Sequence, residues 1–211
     1  MSAPDQNVAA PGEKKDEPLP RRTRRGQTST AERIIEATVR ALNVRRANKL
    51  QFSEICAYAG VSRNTLYRYF PTMEDLLAGV ADHARAKFER ELHSAVSGEA
   101  SPRLRLQAAL SFLDSYVEAQ RLDLWLELEP RFVMQFLRGN YSHYCATVAR
   151  ELGPVFDEIE SVAGYDLDRA LCTDLVMRNA YSAGLLPHAI APLNRKPSGE
   201  EVWQMLSALK R

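Results

Sequence analysis

The stretch FSEICAYAGVSRNTLYRYFP, residues 52–71, decides the fold of this chain. Ile55 and Ala59, four residues apart, give its first half one inward helical edge. Gly60 follows at once, and glycine takes positive φ without a steric penalty, which suits a tight turn that ends a helix and redirects the chain. Val61 gives the turn an apolar anchor, and the Ser62 hydroxyl can cap the amides of a next helix. Leu66 and Phe70 repeat the four-residue spacing there, until Pro71 pushes the residue before it out of helical geometry. Ser53 is expected to cap the first helix. The pattern is two short helices joined by a glycine turn, a helix-turn-helix.

The side chains outside that apolar stripe suit a duplex. Arg63 can donate a bidentate pair of hydrogen bonds to guanine, Asn64 can pair with adenine, and Tyr67 offers a ring to a thymine methyl and a hydroxyl to phosphate. All three lie near a helix N-terminus, which points partial positive charge outward and commonly enters the major groove first.

Upstream, Ser29 and Glu32 form a capping-box pattern, and Ile34, Ala37, Ala41 and Leu42 recur on one face, predicting a helix over 30–45. Residues 1–28 hold Pro4, Pro11, Gly12, Pro18 and Pro20 and almost no large apolar side chains, so they read as a disordered arm. The arm ends in Arg21, Arg22, Arg24 and Arg25, four guanidinium groups suited to phosphates or a narrow minor groove. Charge follows the same division. The whole chain carries only +1, but residues 1–70 hold 13 basic and 7 acidic side chains, against 15 and 20 in the remainder. One end is built for a polyanion.

Downstream, Leu76, Leu77, Val80, Ala84 and Phe88 keep a helical period from Thr72 until Ser97-Gly98, predicting a long strut. Helical spacing then continues over 103–120, 122–138, 141–152, 154–163, 166–186 and 198–210, punctuated by Gly139, Gly153-Pro154, Gly164, Pro187 and Pro192. No alternating strand pattern and no repeat occurs, so the class is all-α. With 45% apolar residues in 211, there is enough to build a packed core. No run of 18 apolar residues and no signal-peptide pattern is present, so a cytoplasmic protein without a membrane partner is expected.

The runs Ala59-Gly60-Val61-Ser62, Thr65-Leu66-Tyr67-Arg68-Tyr69-Phe70-Pro71 and Glu74-Asp75-Leu76-Leu77 together resemble the signature of the TetR family of bacterial transcription regulators, over roughly residues 30–80. The resemblance implies an N-terminal three-helix helix-turn-helix domain plus a C-terminal helical ligand-binding and dimerisation domain. The expected boundaries are an arm over 1–28, the DNA-binding domain over 29–75 with its linker helix reaching about 97, and the second domain over 98–211. By position, Ser53 would contact phosphate, while Arg63, Asn64, Thr65, Tyr67 and Tyr69 would face double-stranded operator DNA. Two residues depart from the family pattern: Cys56 stands where a small alanine is usual, and Met73 where a lysine usually begins the fourth helix.

The same resemblance implies a homodimer joined by its last two long helices, with Leu171, Leu175, Trp203, Leu206 and Leu209 available for the interface. Two heads set about 34–36 Å apart would read a palindrome. Large apolar residues crowd the middle helices, and Phe112, Tyr116, Trp125, Phe136, Tyr144, Met177 and Tyr181 are candidates to line a pocket for a small, largely apolar effector. The expected outcome is a repressor released by that effector. Alternatives are a redox-responsive regulator using Cys56, Cys145 or Cys172, and a DNA binder without an effector. No phosphate loop, nucleophile elbow or paired-histidine zinc helix occurs, and His143 with Cys145 makes only a weak metal pair, so no enzyme, metal or cofactor is expected.

Deleting residues 21–25 should weaken binding to all duplex sequences alike and flatten the dependence of log Kd on log salt, read by fluorescence anisotropy across a salt series.

Overall fold

The computed structural model describes residues 29–44, 50–121, 125–126, 130–185 and 197–211. The arm with Arg21, Arg22, Arg24 and Arg25 lies outside the described residues, as do Pro187 and Pro192. Helix α1 (Thr30–Val44) starts on the capping box read from the sequence. The Glu32 amide donates to Ser29 Oγ at 3.1 Å, and the Ser29 amide donates to the Glu32 carboxylate at 2.7 Å. Its buried face is Ile34, Ala37, Thr38, Ala41 and Leu42, which packs on α2 (Phe52–Ala59) and on α4 (Met73–Val96). Between the last two in sequence lies α3 (Arg63–Tyr69), which packs on α2, itself seated on α1.

One expectation in this region fails. Helix α2 begins at Phe52, with Gln51 in the cap position and no side-chain cap, so Ser53 sits one residue inside the helix and caps nothing. The chain instead has a capping box that the sequence reading passed over, at Thr72 and Asp75, which opens α4. From there Leu76, Val80, Ala84, Phe88, Leu92 and Val96 are buried along 24 residues.

The C-terminal part comprises α5 (Pro102–Ala119), α6 (Pro130–Glu151), α7 (Gly153–Ala163), α8 (Arg169–Leu185) and α9 (Gly199–Ser207). Helices α5 and α6 both pack on α4, α8 packs on both α5 and α6, and α9 closes against α5. Helix α6 runs through Gly139, where the sequence suggested a break between 122–138 and 141–152. Gly139 faces solvent with nothing near its Cα, while Phe136, Asn140 and Tyr144 on the opposite side are buried. Packing of that face outweighs the roughly 1 kcal/mol that a mid-helix glycine costs.

Helices α8 and α9 are shorter than their periodic stretches. Asp166–Asp168 and Leu209–Arg211 exchange backbone bonds instead, Asp168 N to Leu209 O and Arg211 N to Asp166 O, each at 3.1 Å. Paired β backbone among the described residues is confined to this bridge. Trp203 and Leu206, expected at a dimer interface, are buried inside the chain at 6% and 2% exposure. Trp203 is covered partly by the Arg103 guanidinium, 4.3 Å from its ring centroid.

Polar contacts fix the order of the helices. The buried Glu151 carboxylate of α6 lies 3.4 Å from Arg105 of α5 and 3.3 Å from His93 of α4, tying three helices at one point. Between α7 and α8, Arg169 pairs with Asp157 and Glu160; its guanidinium, with the Leu167 amide, holds the Glu160 carboxyl down at about 2. Helix α8 meets α5 without a cushion. A Cβ built on Gly184 would sit 2.1 Å from Val117 Cγ1, so only glycine allows this approach. Among the described residues, no helix is long and apolar enough to cross a membrane.

Two substitutions test the packing. Phe88→Ala should cost about 3–5 kcal/mol and Gly184→Ala about 1–3 kcal/mol, both read from urea denaturation followed by circular dichroism.

Candidate nucleic-acid interface

The head presents α3 on three supports. Gly60 adopts φ 63°, ψ 41°, the left-handed conformation that closes α2, and its successor's amide donates to Cys56 O at 3.1 Å. Ser62 then caps α3: the Thr65 amide donates to Ser62 Oγ at 3.1 Å, and the two hydroxyls lie 2.9 Å apart. From below, Arg33 of α1 donates from Nη2 to Ala59 O at 2.8 Å, satisfying a carbonyl that a helix end leaves open. No sequence signal marked Arg33 for this task, because the contact joins residues 26 apart.

Of the expected reading residues, Arg63, Asn64, Tyr67 and Tyr69 are exposed on α3. Tyr67 is 49% exposed, with its ring held edge-on against Phe52 at 5.1 Å and 82°. A rigid phenol with a free hydroxyl face is thereby presented to solvent. Thr65 is half-buried and engaged with the Ser62 cap, and Ser53 is half-buried with Oγ 3.5 Å from Gln51 Oε1. Tyr69 lies under the Arg68 guanidinium, 5.3 Å from its ring centroid. Tyr58 on α2 is a further exposed aromatic of the head, at 48%. Helix α3 carries two arginines and no acid, so its surface field is positive. Met73 begins α4 half-buried against the core, which accounts for an apolar residue there: its side chain packs, and it offers phosphate no charge.

The residues selected for an effector pocket form most of one aromatic chain in the C-terminal part. Trp125 lies near Phe132 at 6.1 Å, Phe132 near Phe136 at 5.9 Å, and Phe136 near Tyr144 at 6.3 Å. Tyr144 meets Phe88 edge-on at 4.6 Å and Tyr181 at 6.5 Å. Trp125, Tyr144 and Met177 are each only 1% exposed, and the half-buried Phe112 joins the cluster through Phe88 at 5.6 Å and Tyr116 at 5.5 Å. Trp125 donates from Nε1 to Asn43 Oδ1 at 2.7 Å, a bond between the aromatic chain and the end of α1. Burial pushes the Tyr144 phenol up to about 12, while its contact with the Tyr116 hydroxyl acts in the opposite direction. Burial likewise raises the Cys145 thiol, and the Cys172 thiol to about 11. Cys172 is buried in the core, whereas Cys145 is half-buried.

A positively charged, capped and solvent-facing helix on a three-helix head makes this chain a helix-turn-helix DNA-binding transcription regulator. Residues 34–80 match the family model described as bacterial regulatory proteins, tetR family. Among solved structures, it is similar to a transcriptional regulator of the TetR/AcrR family from Thermobifida fusca, with TM-score 0.52 and 19% identity over 84% of this chain and 94% of that one. It is also similar to the TetR family repressor AlkX from Dietzia sp. strain DQ12-45-1b, implicated in biodegradation of n-alkanes, with TM-score 0.50 and 16% identity over 87% and 94% of the two chains. At these identities the likeness concerns the fold. No curated protein matches the sequence.

Replacing Gly60 by alanine should cost about 1–2 kcal/mol through the left-handed backbone, and Ser62→Ala about 1 kcal/mol through the lost cap. Thermal denaturation of each variant checks both values.

Proposed function

We propose that the chain is a homodimeric repressor whose α3 lies in the major groove of a palindromic operator and which leaves it when a small, largely apolar effector binds. The head spans residues 29–75, α4 carries on to about 97, and the regulatory domain covers 98–211. The observation that carries this reading is the outward face of α3, where Arg63, Asn64 and Tyr67 stand exposed beside a capped N-terminus while Leu66 is fully buried beneath them. Those three donors and the ring can reach base edges, and Thr65, Tyr69 and Ser53 flank them toward the phosphates. The arginines at 21, 22, 24 and 25 add sequence-independent affinity.

Dimerisation draws support from α8 and α9. Leu171 and Leu175 of α8 are 41% and 40% exposed and Met205 of α9 is 61% exposed, apolar side chains that a second copy would cover. Trp203 and Leu206, already used inside the chain, take no part. The effector reading draws support from the aromatic chain and from the buried Tyr144 and Tyr116 phenols, which would give an apolar ligand a polar anchor. Phe136, Met177 and Tyr181 wall that region, with Tyr116 beside it and Trp125 linking it to α1. The ligand lowers operator affinity only by as much as it prefers the non-binding arrangement of the heads.

The operator is found by selecting bound fragments from sheared genomic DNA. Arg63→Ala should then weaken binding to it by about 1–3 kcal/mol and relax base preference at one position per half-site, read by anisotropy against a panel of single-base variants. Unchanged affinity and unchanged preference would overturn the placement of α3.

A further inference from the structure

Helices α1 and α5 both lean on α4, and between them they leave an open cleft of about 500 Å³. That size lies inside the range of roughly 300–1,000 Å³ common for small-molecule sites. Its base is aromatic. Phe112 and Tyr116 lie 5.5 Å apart at an interplanar angle of 33°, and Phe88 backs both rings, at 5.6 and 4.9 Å. The Tyr116 hydroxyl is engaged with Ala84 O at 3.2 Å, so its ring offers the cleft only hydrocarbon surface. Its mouth is polar but carries no net charge. Lys87 and Glu91 face each other at 3.8 Å, and Ser94 and Ser115 stand exposed on opposite walls. An ion of either sign entering there meets one charge of its own sign, whereas an uncharged molecule meets donors and acceptors on both sides.

The cleft joins two parts of the chain. Val39 and Asn43 contribute the α1 wall, within the DNA-binding head, while Phe112, Tyr116 and Ser115 belong to α5. An occupant touching both has an affinity that depends on how the head sits against the C-terminal part, and by linkage it biases that arrangement. We propose that this cleft is a small-molecule site opening beside the aromatic interior, its Phe112 and Tyr116 drawn from the residues expected to hold the effector, and that it takes flat, uncharged aromatic molecules with hydrogen-bonding edges and couples them to the head. The coupling, though not the site, rests on the DNA-binding reading given above.

Nile red, a flat uncharged dye whose emission shifts in apolar surroundings, tests the site on the full chain. Saturable binding is expected, weakened at least tenfold by Ser94→Trp and by Ser115→Trp, exposed positions whose indoles would fill the cleft while leaving the thermal midpoint unchanged. Equal dye affinity in the parent and both variants overturns the site. Sheared genomic duplex at low salt tests the coupling: saturating dye should change DNA affinity in the parent and not in Ser115→Trp. A dye that binds the cleft yet leaves DNA affinity unaltered overturns the coupling. A chain that binds dye in this cleft-dependent way but binds no duplex supports the site and counts against the DNA-binding reading instead.

Discussion

One apolar stripe has to serve two cores. Along α4 the buried residues Leu76, Val80, Ala84, Phe88, Leu92 and Val96 recur every fourth position without exception. A helix advances about 100° per residue, so each step of four turns the stripe by about 40° beyond a full circle, and five steps turn it by about 200°. The first residues of the stripe therefore face a different direction from the last. That winding lets the start of α4 close the head against α1 while its end closes α5 and α6. A stripe with mixed spacings of three and four would stay on one side, and the helix could not belong to both cores.

Around this strut, polar contacts mark where the two parts meet. Trp125 bonds to Asn43 at the end of α1, and Arg85 of α4 pairs with Asp82 on its own helix and with Asn140 of α6. Glu151 is the more demanding case, since a buried carboxylate is costly unless its charge is met. It is met by Arg105 of α5, with the His93 ring of α4 3.3 Å away, and this favours one relative placement of α4, α5 and α6 over others.

Much of this was legible in the residues because local chemistry settles it. The Ser29–Glu32 box, the Gly60 turn and the Ser62 cap each act within a few positions, so their meaning does not depend on distant partners. The errors fall where the partner is distant. Periodicity shows that Trp203 and Leu206 face something apolar, but not whether that surface belongs to the same chain; here it does. Gly139 reads as a break by its own propensity and is overruled by the buried side of its helix. Leu209 and Lys210 look helical until the backbone of Asp166–Asp168 pairs with them. Arg33 carried no signal at all, since its value to the recognition turn exists only once α1 and α2 have packed. The aromatic residues of the middle helices were identifiable as a group, but their sequence spacing could not distinguish a purely hydrocarbon ring such as Phe132 from Tyr144, whose phenol meets that of Tyr116.

The contact of Gly184 with Val117 places backbone almost directly on side chain, with no rotatable atoms on the α8 side to absorb a displacement. Most helix pairs slide on a layer of side chains that can change rotamer, and small movements die out within it. At this point α5 and α8 touch with only the Val117 side chain between them, so fewer atoms are there to take up a displacement of either helix. Leu171 and Leu175 stand on the same helix as Gly184, so this close approach also fixes how far their exposed face lies from α5.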